Sequence, residues 1–392
     1  MSKRPALVLL SAAAATACVG ACDAPAQRAS TTTPVPVVVE ALAAPLPQTP
    51  ASLFAPSPLL SHGKKAVGRS HVQFSDPRLA LDGDSSTAWT AGHPTPADPA
   101  WLAIDVGAGP TRLLLAWSAA GSFNYEETDY GSPGSYRIET SPDSTNGADG
   151  TWTKVVDVPH VVTHGRGHAL PFTGQRWVRF VVTGAPDVSP NGVQIDEVAV
   201  YDASAGETDT WFFMGDSITA TAFGGAAKGA DRFAAIIHSR HEKYFPVVLN
   251  GGIGGTHSSD GAARVDDWIA RNPDAHFWAI GYGSNDAAGN ERDTTQFRHN
   301  LVTIIDRLQE AHRVPILARI PYANDGQHTN IPEFNLVIEE LRDLHGLPRG
   351  PDLYAWFLAH PDELRDGLHP NDRGVASMNR LWADAVDALY PR

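Results

Sequence analysis

The rhythm of apolar and polar residues divides the chain. From about His62 to Asp202, short apolar runs alternate with turns rich in Gly, Pro, Asn and Asp. Trp101–Val106, Arg112–Trp117, Tyr136–Thr140, Trp152–Val158, Arg176–Thr183 and Gln194–Tyr201 have strand length, and no stretch among them carries a helical period. Val178, Phe180 and Val182 alternate with Trp177, Arg179 and Val181, the period of two that half-buries a strand. Strands at this spacing predict an all-β sandwich over 62–203. Ala203 to Asp209 reads as a short polar joint. Over 208–392 the pattern becomes β/α. Trp211–Met214, Pro246–Ile253, His276–Gly281 and Val314–Ile320 read as buried strands, with Leu353–Leu358 a weaker fifth. Phe297, Leu301, Ile304, Ile305 and Leu308 share one helical face, as do Val375, Met378, Trp382, Val386 and Leu389. This alternation predicts a three-layer α/β domain, a parallel sheet covered by helices on both faces.

Ahead of both domains lies a different kind of segment. Lys3 and Arg4 precede an apolar, alanine-rich run from Pro5 to about Val19, too short for a stable membrane span but suited to a signal peptide over 1–22. Val19-Gly20-Ala21-Cys22 resembles a bacterial lipobox, which implies lipidation of Cys22; an ordinary cleaved leader with Cys22 incidental is the alternative. Asp23 follows, a residue that can favour inner-membrane retention in proteobacterial lipoproteins. The expectation is an exported protein, anchored in the periplasm or at the cell surface, or otherwise secreted. Residues 23–61 read as a disordered tether: Ala24 to Leu60 holds eight prolines and only two charges, Arg28 and Glu40. Extended, it would reach on the order of 100 Å.

Composition narrows the classes. Among 392 residues, 42% are hydrophobic, enough to fill real cores, and the formal net charge is −14. An acidic chain without basic runs is a poor ligand for nucleic acid or an anionic surface, so membrane contact is expected through a lipid anchor only. Both cysteines, Cys18 and Cys22, precede the folded body, which therefore has no disulfide and no thiolate metal site.

The candidate chemistry begins where the run Trp211-Phe212-Phe213-Met214 stops at Gly215-Asp216-Ser217. A buried strand that ends in a turn leaves the Ser217 hydroxyl at the carboxyl edge of a sheet, where it needs a base and oxyanion donors to react. Asp366-Gly367-Leu368-His369 supplies an imidazole with a carboxylate three residues before it, a spacing that brings the acid under one ring nitrogen and leaves the other for Ser217. The glycine-rich turn Asn250-Gly251-Gly252-Ile253-Gly254-Gly255-Thr256 lets backbone N–H groups approach an oxyanion closely. The amide of Asn285, in Gly283-Ser284-Asn285-Asp286, can donate from the side. That turn lacks the lysine of a phosphate loop and the spacing of a dinucleotide-binding loop, and Ser217 lacks the Gly-x-Ser-x-Gly elbow.

These four blocks, in this order, resemble those of the SGNH (GDSL-type) hydrolases. The resemblance implies a flavodoxin-like parallel sheet, Ser217 as nucleophile, His369 as general base and Asp366 as its orienter, with no cofactor for catalysis. It implies an oxyanion hole of Ser217 N–H, the Asn285 side chain and a glycine N–H; Gly255 aligns best, with Gly252 and Gly254 as alternates. Asp216 and Asn371 are expected to support turns.

The first domain also resembles a family. Leu81-Asp82-Gly83-Asp84-Ser85-Ser86-Thr87-Ala88-Trp89, Trp101-Leu102-Ala103-Ile104-Asp105-Val106-Gly107, Tyr136–Asp143, Trp177–Phe180 and Glu197–Tyr201 follow the order of the discoidin (factor 5/8 type C) domain. The resemblance implies a galactose-binding-like jelly roll that often binds glycans. In such domains calcium often pins the first turn to the last strand; Asp82, Asp84, Thr87 and Glu197 would be its ligands, the alternative being aspartates that cap backbone N–H groups. Phe123-Asn124-Tyr125-Glu126-Glu127-Thr128-Asp129-Tyr130 combines aromatics and acids, which suits a sugar ring or simply a packed loop. His164 and His168, beside Gly165 and Gly167, are expected to be solvated loop histidines, and nothing calls for a catalytic metal.

Together these readings point to an esterase for small acyl groups, acetyl foremost, on a glycan or another small ester. Three rivals stand beside it: a lipase or lysophospholipase, a glycan O-acetyltransferase, and a non-enzymatic glycan-binding surface protein.

Overall fold

Residues 54–119, 123–128, 131–186, 191–206, 208–224, 229–289 and 293–390 are described by a computed structural model; Lys3, Arg4, Cys22, Asp23, Asp129 and Tyr130 lie outside them. The first half consists of β1 (Ala66–Arg69), β2 (Trp89–Gly92), β3 (Ala100–Asp105), β4 (Arg112–Ala119), β5 (Ser135–Ser141), β6 (Thr153–Val158), β7 (Gly165–Pro171), β8 (Trp177–Gly184) and β9 (Val193–Asp202). They form two antiparallel sheets, ordered β1-β3-β8-β5-β6 and β2-β9-β4-β7. Alternation decides what faces what. Leu102, Ile104, Val178, Phe180 and Val182 of one sheet meet Leu113, Leu115, Trp117, Val198 and Val200 of the other in a single core, which makes a β-sandwich.

Beyond the joint come β10 (Thr210–Gly215), α1 (Ser217–Phe223), α2 (Phe233–Arg240), β11 (Val247–Gly252), α3 (Ser258–Arg271), β12 (Phe277–Gly281), α4 (Thr295–Glu310), β13 (Val314–Arg319), α5 (Ile331–Leu344), β14 (Arg349–Asp352), α6 (Leu353–Ala359) and α7 (Asp372–Val386). All five strands run parallel in the order β11-β10-β12-β13-β14. The six residues of β10 are all buried. Phe212 and Met214 face α3, α4 and α5, while Trp211 and Phe213 face α1, α2, α6 and α7. This is the three-layer α/β arrangement that the sequence predicts. The second strand lies on one side of the first and the third on the other, so the loops after β10, β11 and β12 converge at a topological switch point. Among the described residues, no helix is long and apolar enough to cross a membrane.

The sandwich and the α/β domain share a core. Leu114 and Ala116 of β4 and Tyr201 of β9, turned away from the sandwich interior, cluster with Phe212, Met214, Val247 and Leu249. Arg112 also pairs with Asp274 at 3.0 Å across the boundary.

Several expectations are corrected. Leu353–Leu358 is helix α6, not a strand: Asp352 caps it through Ala355 N–H at 2.9 Å, and Leu353 and Phe357, four apart, bury together. The fifth strand is the short segment before it, β14. The tether ends before Leu60, because Phe54 is only 4% exposed and packs edge-on against Tyr244, Phe277 and Tyr390. Asp209, read as part of a polar joint, is fully buried; it accepts from Trp211 Nε1 and Tyr390 Oη, and burial pushes its carboxyl up to about 7. His164 and His168 are not solvated. They flank and sit within β7, a strand hidden from sequence by its glycines. Desolvation lowers both, His168 to about 3, so each stays neutral and hydrogen-bonded, His164 Nδ1–H to Asn124 O and His168 Nε2 to Tyr136 Oη.

Candidate active site

β10 delivers Ser217 as the first residue of α1, with Asp216 as N-cap accepting from Ile218 N–H at 2.9 Å. Gly215 before it has no room for a side chain: a Cβ there would lie 2.2 Å from Thr219 Oγ1 and 2.7 Å from Gly281 O. The turn that presents the serine is therefore closed by the missing side chain and the cap together. Asp216 is buried, which pushes its carboxyl up to about 7, and its role is structural.

The loop between the end of α6 and α7 brings the other groups. Asn371 caps α7 by accepting from Arg373 and Gly374 N–H, which fixes where the preceding turn ends. Within that turn Asp366 Oδ1 accepts from His369 N–H at 2.7 Å and Leu368 N–H at 3.1 Å. Asp366 Oδ2 accepts from His369 Nδ1–H at 2.8 Å. The imidazole is thereby held with Nε2 as acceptor, and Ser217 Oγ lies 2.8 Å from it. Burial alone would raise the Asp366 carboxyl, but the hydrogen bonds from His369 and Leu368 outweigh it and bring it down to about 2. Asp366 is thus a fixed negative charge beneath the ring at any ordinary pH. The arrangement can take a proton from a serine hydroxyl and stabilise the imidazolium that results.

The loops after β11 and β12 lie against each other. Asn285 Nδ2 donates one hydrogen to Thr256 O at 2.9 Å, which orients its amide and leaves the second hydrogen. Asp286 secures the same corner by accepting from Ser258 N–H, the first residue of α3. Of the three glycines considered for the oxyanion, Gly252 donates to Asn250 Oδ1 at 3.0 Å and Gly254 to Asn124 Oδ1 at 2.6 Å. Gly255 N–H donates to no group among the described residues, and Gly255 is exposed.

Asn124 and its neighbours were legible only as an aromatic, acidic loop, and most of that loop is packed. Tyr125 is 1% exposed, donates its N–H to Gly252 O at 2.9 Å, and meets Phe212 and Trp268 edge-on. Glu126 accepts from Trp268 Nε1 at 2.9 Å and pairs with Arg264 and Arg271. Phe123 differs, being 41% exposed. A Cβ on Gly254 would lie 3.5 Å from the Phe123 ring and 3.8 Å from Ser217 Cβ, so glycine keeps the space between ring and serine open.

The calcium expectation finds no support. Among the described residues, no group of three or more His, Cys, Asp or Glu is arranged for a metal ion. Asp82 is occupied by Asp84 N–H and Thr87 Oγ1, and Asp84 accepts from Ser86. Glu197 accepts from Gly83 N–H at 3.0 Å, a hydrogen bond that ties this turn to β9. Burial pushes the Glu197 carboxyl up to about 8.

The chain was compared with known proteins. Residues 213–376 match the model of the GDSL-like Lipase/Acylhydrolase family. Among solved structures the chain is similar to a lipase/acylhydrolase from Enterococcus faecalis, at 26% identity and a TM-score of 0.39, over 46% of this chain and 95% of that one. It is similar to the acetyl xylan esterase AlAXEase at 22% identity and a TM-score of 0.37, over 46% of this chain and 98% of that one. A third similarity is to chitosan-binding module 1 of a chitosanase/glucanase from Paenibacillus sp. IK-5, at 25% identity and a TM-score of 0.29, over 36% of this chain and 98% of that one. No curated protein matches. With its four blocks gathered at one sheet edge and the family model laid across them at residues 213–376, the α/β domain is similar to the GDSL-like lipase/acylhydrolase family, and the chain is an ester-bond hydrolase.

Proposed function

We propose that this chain is an exported serine esterase that removes small acyl groups, acetyl foremost, from carbohydrate. The observation that carries it is the unbroken hydrogen-bonded line from Asp366 through His369 to Ser217 Oγ. Ser217 Oγ attacks the ester carbonyl while His369 Nε2 takes its proton. Ser217 N–H, Gly255 N–H and the remaining Asn285 Nδ2 hydrogen receive the oxyanion. The imidazolium returns the proton to the departing sugar oxygen, leaving an acyl-enzyme. Water, deprotonated by the same imidazole, then releases the acid and restores Ser217.

The sugar preference is supported by the exposed Phe123 ring across the gap from Ser217, since the C–H faces of a pyranose stack on aromatic rings. Acetate release from a panel of acetylated polysaccharides tests the reading. Ser217→Ala should lower it by about a thousandfold or more; undiminished release would end the mechanism, and equal turnover of long-chain esters would end the acyl-size preference. Export and anchoring rest on the leader and Cys22. Cys22→Ser should move the protein from the membrane to the soluble fraction, and an unchanged distribution would remove the anchor.

A further inference from the structure

The β-sandwich reaches the glycine turn beside the serine through Asn124. Asn124 Oδ1 accepts the N–H of Gly254 at 2.6 Å, and Gly254 lies against Ser217. The acceptor is itself held from several sides. Asn124 N–H donates to Glu127 Oε2 at 3.3 Å, and Asn124 O receives Glu127 N–H at 2.9 Å and His164 Nδ1–H at 2.5 Å. The next residue, Tyr125, is stitched to Gly252 O and to Asn272 Nδ2, and Glu126 is bound by Trp268 and two arginines. The loop is therefore a rigid strut that grips the glycine turn after β11 at both Gly252 and Gly254.

That grip sorts the N–H groups of the turn. Two consecutive glycines have wide backbone freedom, and a free Gly254–Gly255 turn would present either N–H to the serine. With Gly254 N–H taken by Asn124, Gly255 N–H is the one left open. We infer that Asn124 is a positioning residue of the hydrolase: an acceptor on the sandwich holds the glycine turn so that Gly255 N–H meets the oxyanion. The inference rests on the serine-esterase reading above. It makes the sandwich part of the active site, separately from any glycan the sandwich binds.

The test uses the full chain and p-nitrophenyl acetate, a substrate too small to need the sandwich for recognition. Asn124→Ala and the similarly sized Asn124→Leu should each lower kcat about tenfold, because a donor moved by a fraction of an ångström loses most of its benefit in the transition state. KM should stay within about twofold, since the oxyanion forms only after binding. Asn124→Asp, which keeps an acceptor oxygen in place, should recover most of kcat. A kcat within twofold of the parent in the Ala and Leu variants would overturn the inference. So would a loss in Asn124→Asp as large as in Asn124→Leu, or a loss that tracks melting temperature across the three. Should Asn124→Ala fail to fold, the Leu and Asp variants decide. Ser217→Ala in the same assay separates the two claims: if it is inert while Asn124→Leu is unchanged, only the role of Asn124 falls.

Discussion

The chain contains the same short turn twice. Asp325-Gly326-Gln327-His328 and Asp366-Gly367-Leu368-His369 share their residue types and their internal geometry. In both, the aspartate Oδ1 accepts the two following N–H groups and Oδ2 accepts from the imidazole, at 2.7 Å in the first and 2.8 Å in the second. The glycines take φ values of +76° and +83°. Only the second turn faces a serine, and no hydroxyl hydrogen-bonds to Nε2 of His328 among the described residues. The two are also in contact: Asn324 N–H donates to Gly367 O at 2.8 Å. The acid–imidazole pair is therefore a local property of four residues. Its use depends on which strand end the turn lies over. The first copy follows β13 and braces the second, which lies over the end of β10.

The largest test of this contrast compares the two histidines. His369→Ala should abolish turnover by about a thousandfold or more, and Asp366→Asn should cost roughly as much by favouring the wrong tautomer. His328→Ala should leave kcat within a few-fold. It should cost roughly 1–3 kcal/mol of stability, because a buried ring and its hydrogen bond are lost. If ester hydrolysis in a stopped assay falls equally in both histidine variants, the turns are functionally alike and the distinction fails. A finer test is pH. Hydrogen bonds from Gln327 and His328 overcome burial and lower the Asp325 carboxyl below its ordinary value. An acid lowered in the folded state binds fewer protons there than when unfolded. Its contribution is complete above about pH 4 and fades as pH falls below that. The stability gap between the parent and Asp325→Asn should narrow from pH 6 to pH 3 in chemical denaturation. A gap that widens on acidification would contradict the carboxylate hydrogen bonds.

Much of the catalytic half was readable because its signals are local and redundant. The β10 run is apolar on both faces, as a central parallel strand must be, and the glycine, cap and serine follow without a break. The Asp366–His369 bond is closed within four residues, so spacing sufficed to find it. What was missed depends on distant partners. β7 reads as a loop because its glycines and histidine carry no strand signal of their own; the segment is a strand only through its antiparallel ladder with β4, some fifty residues earlier. α6 is a seven-residue helix that follows its cap, and six consecutive apolar positions carry no period long enough to separate helix from strand. Asn124 has no motif at all. Its meaning comes from Gly254, 130 positions away in the chain.

Phe54 carries a directional consequence. Its aromatic partners are Phe277, which opens β12, and Tyr390, which also reaches Trp211 near the start of β10. The polypeptide thus enters the α/β domain beside the amino ends of the parallel strands, while Ser217 sits at their carboxyl ends, about 20 Å away for a six-residue strand. The point where the described chain begins and the reacting serine thus lie at opposite ends of the same parallel strands, so substitutions around Phe54 should alter stability without touching the serine's surroundings.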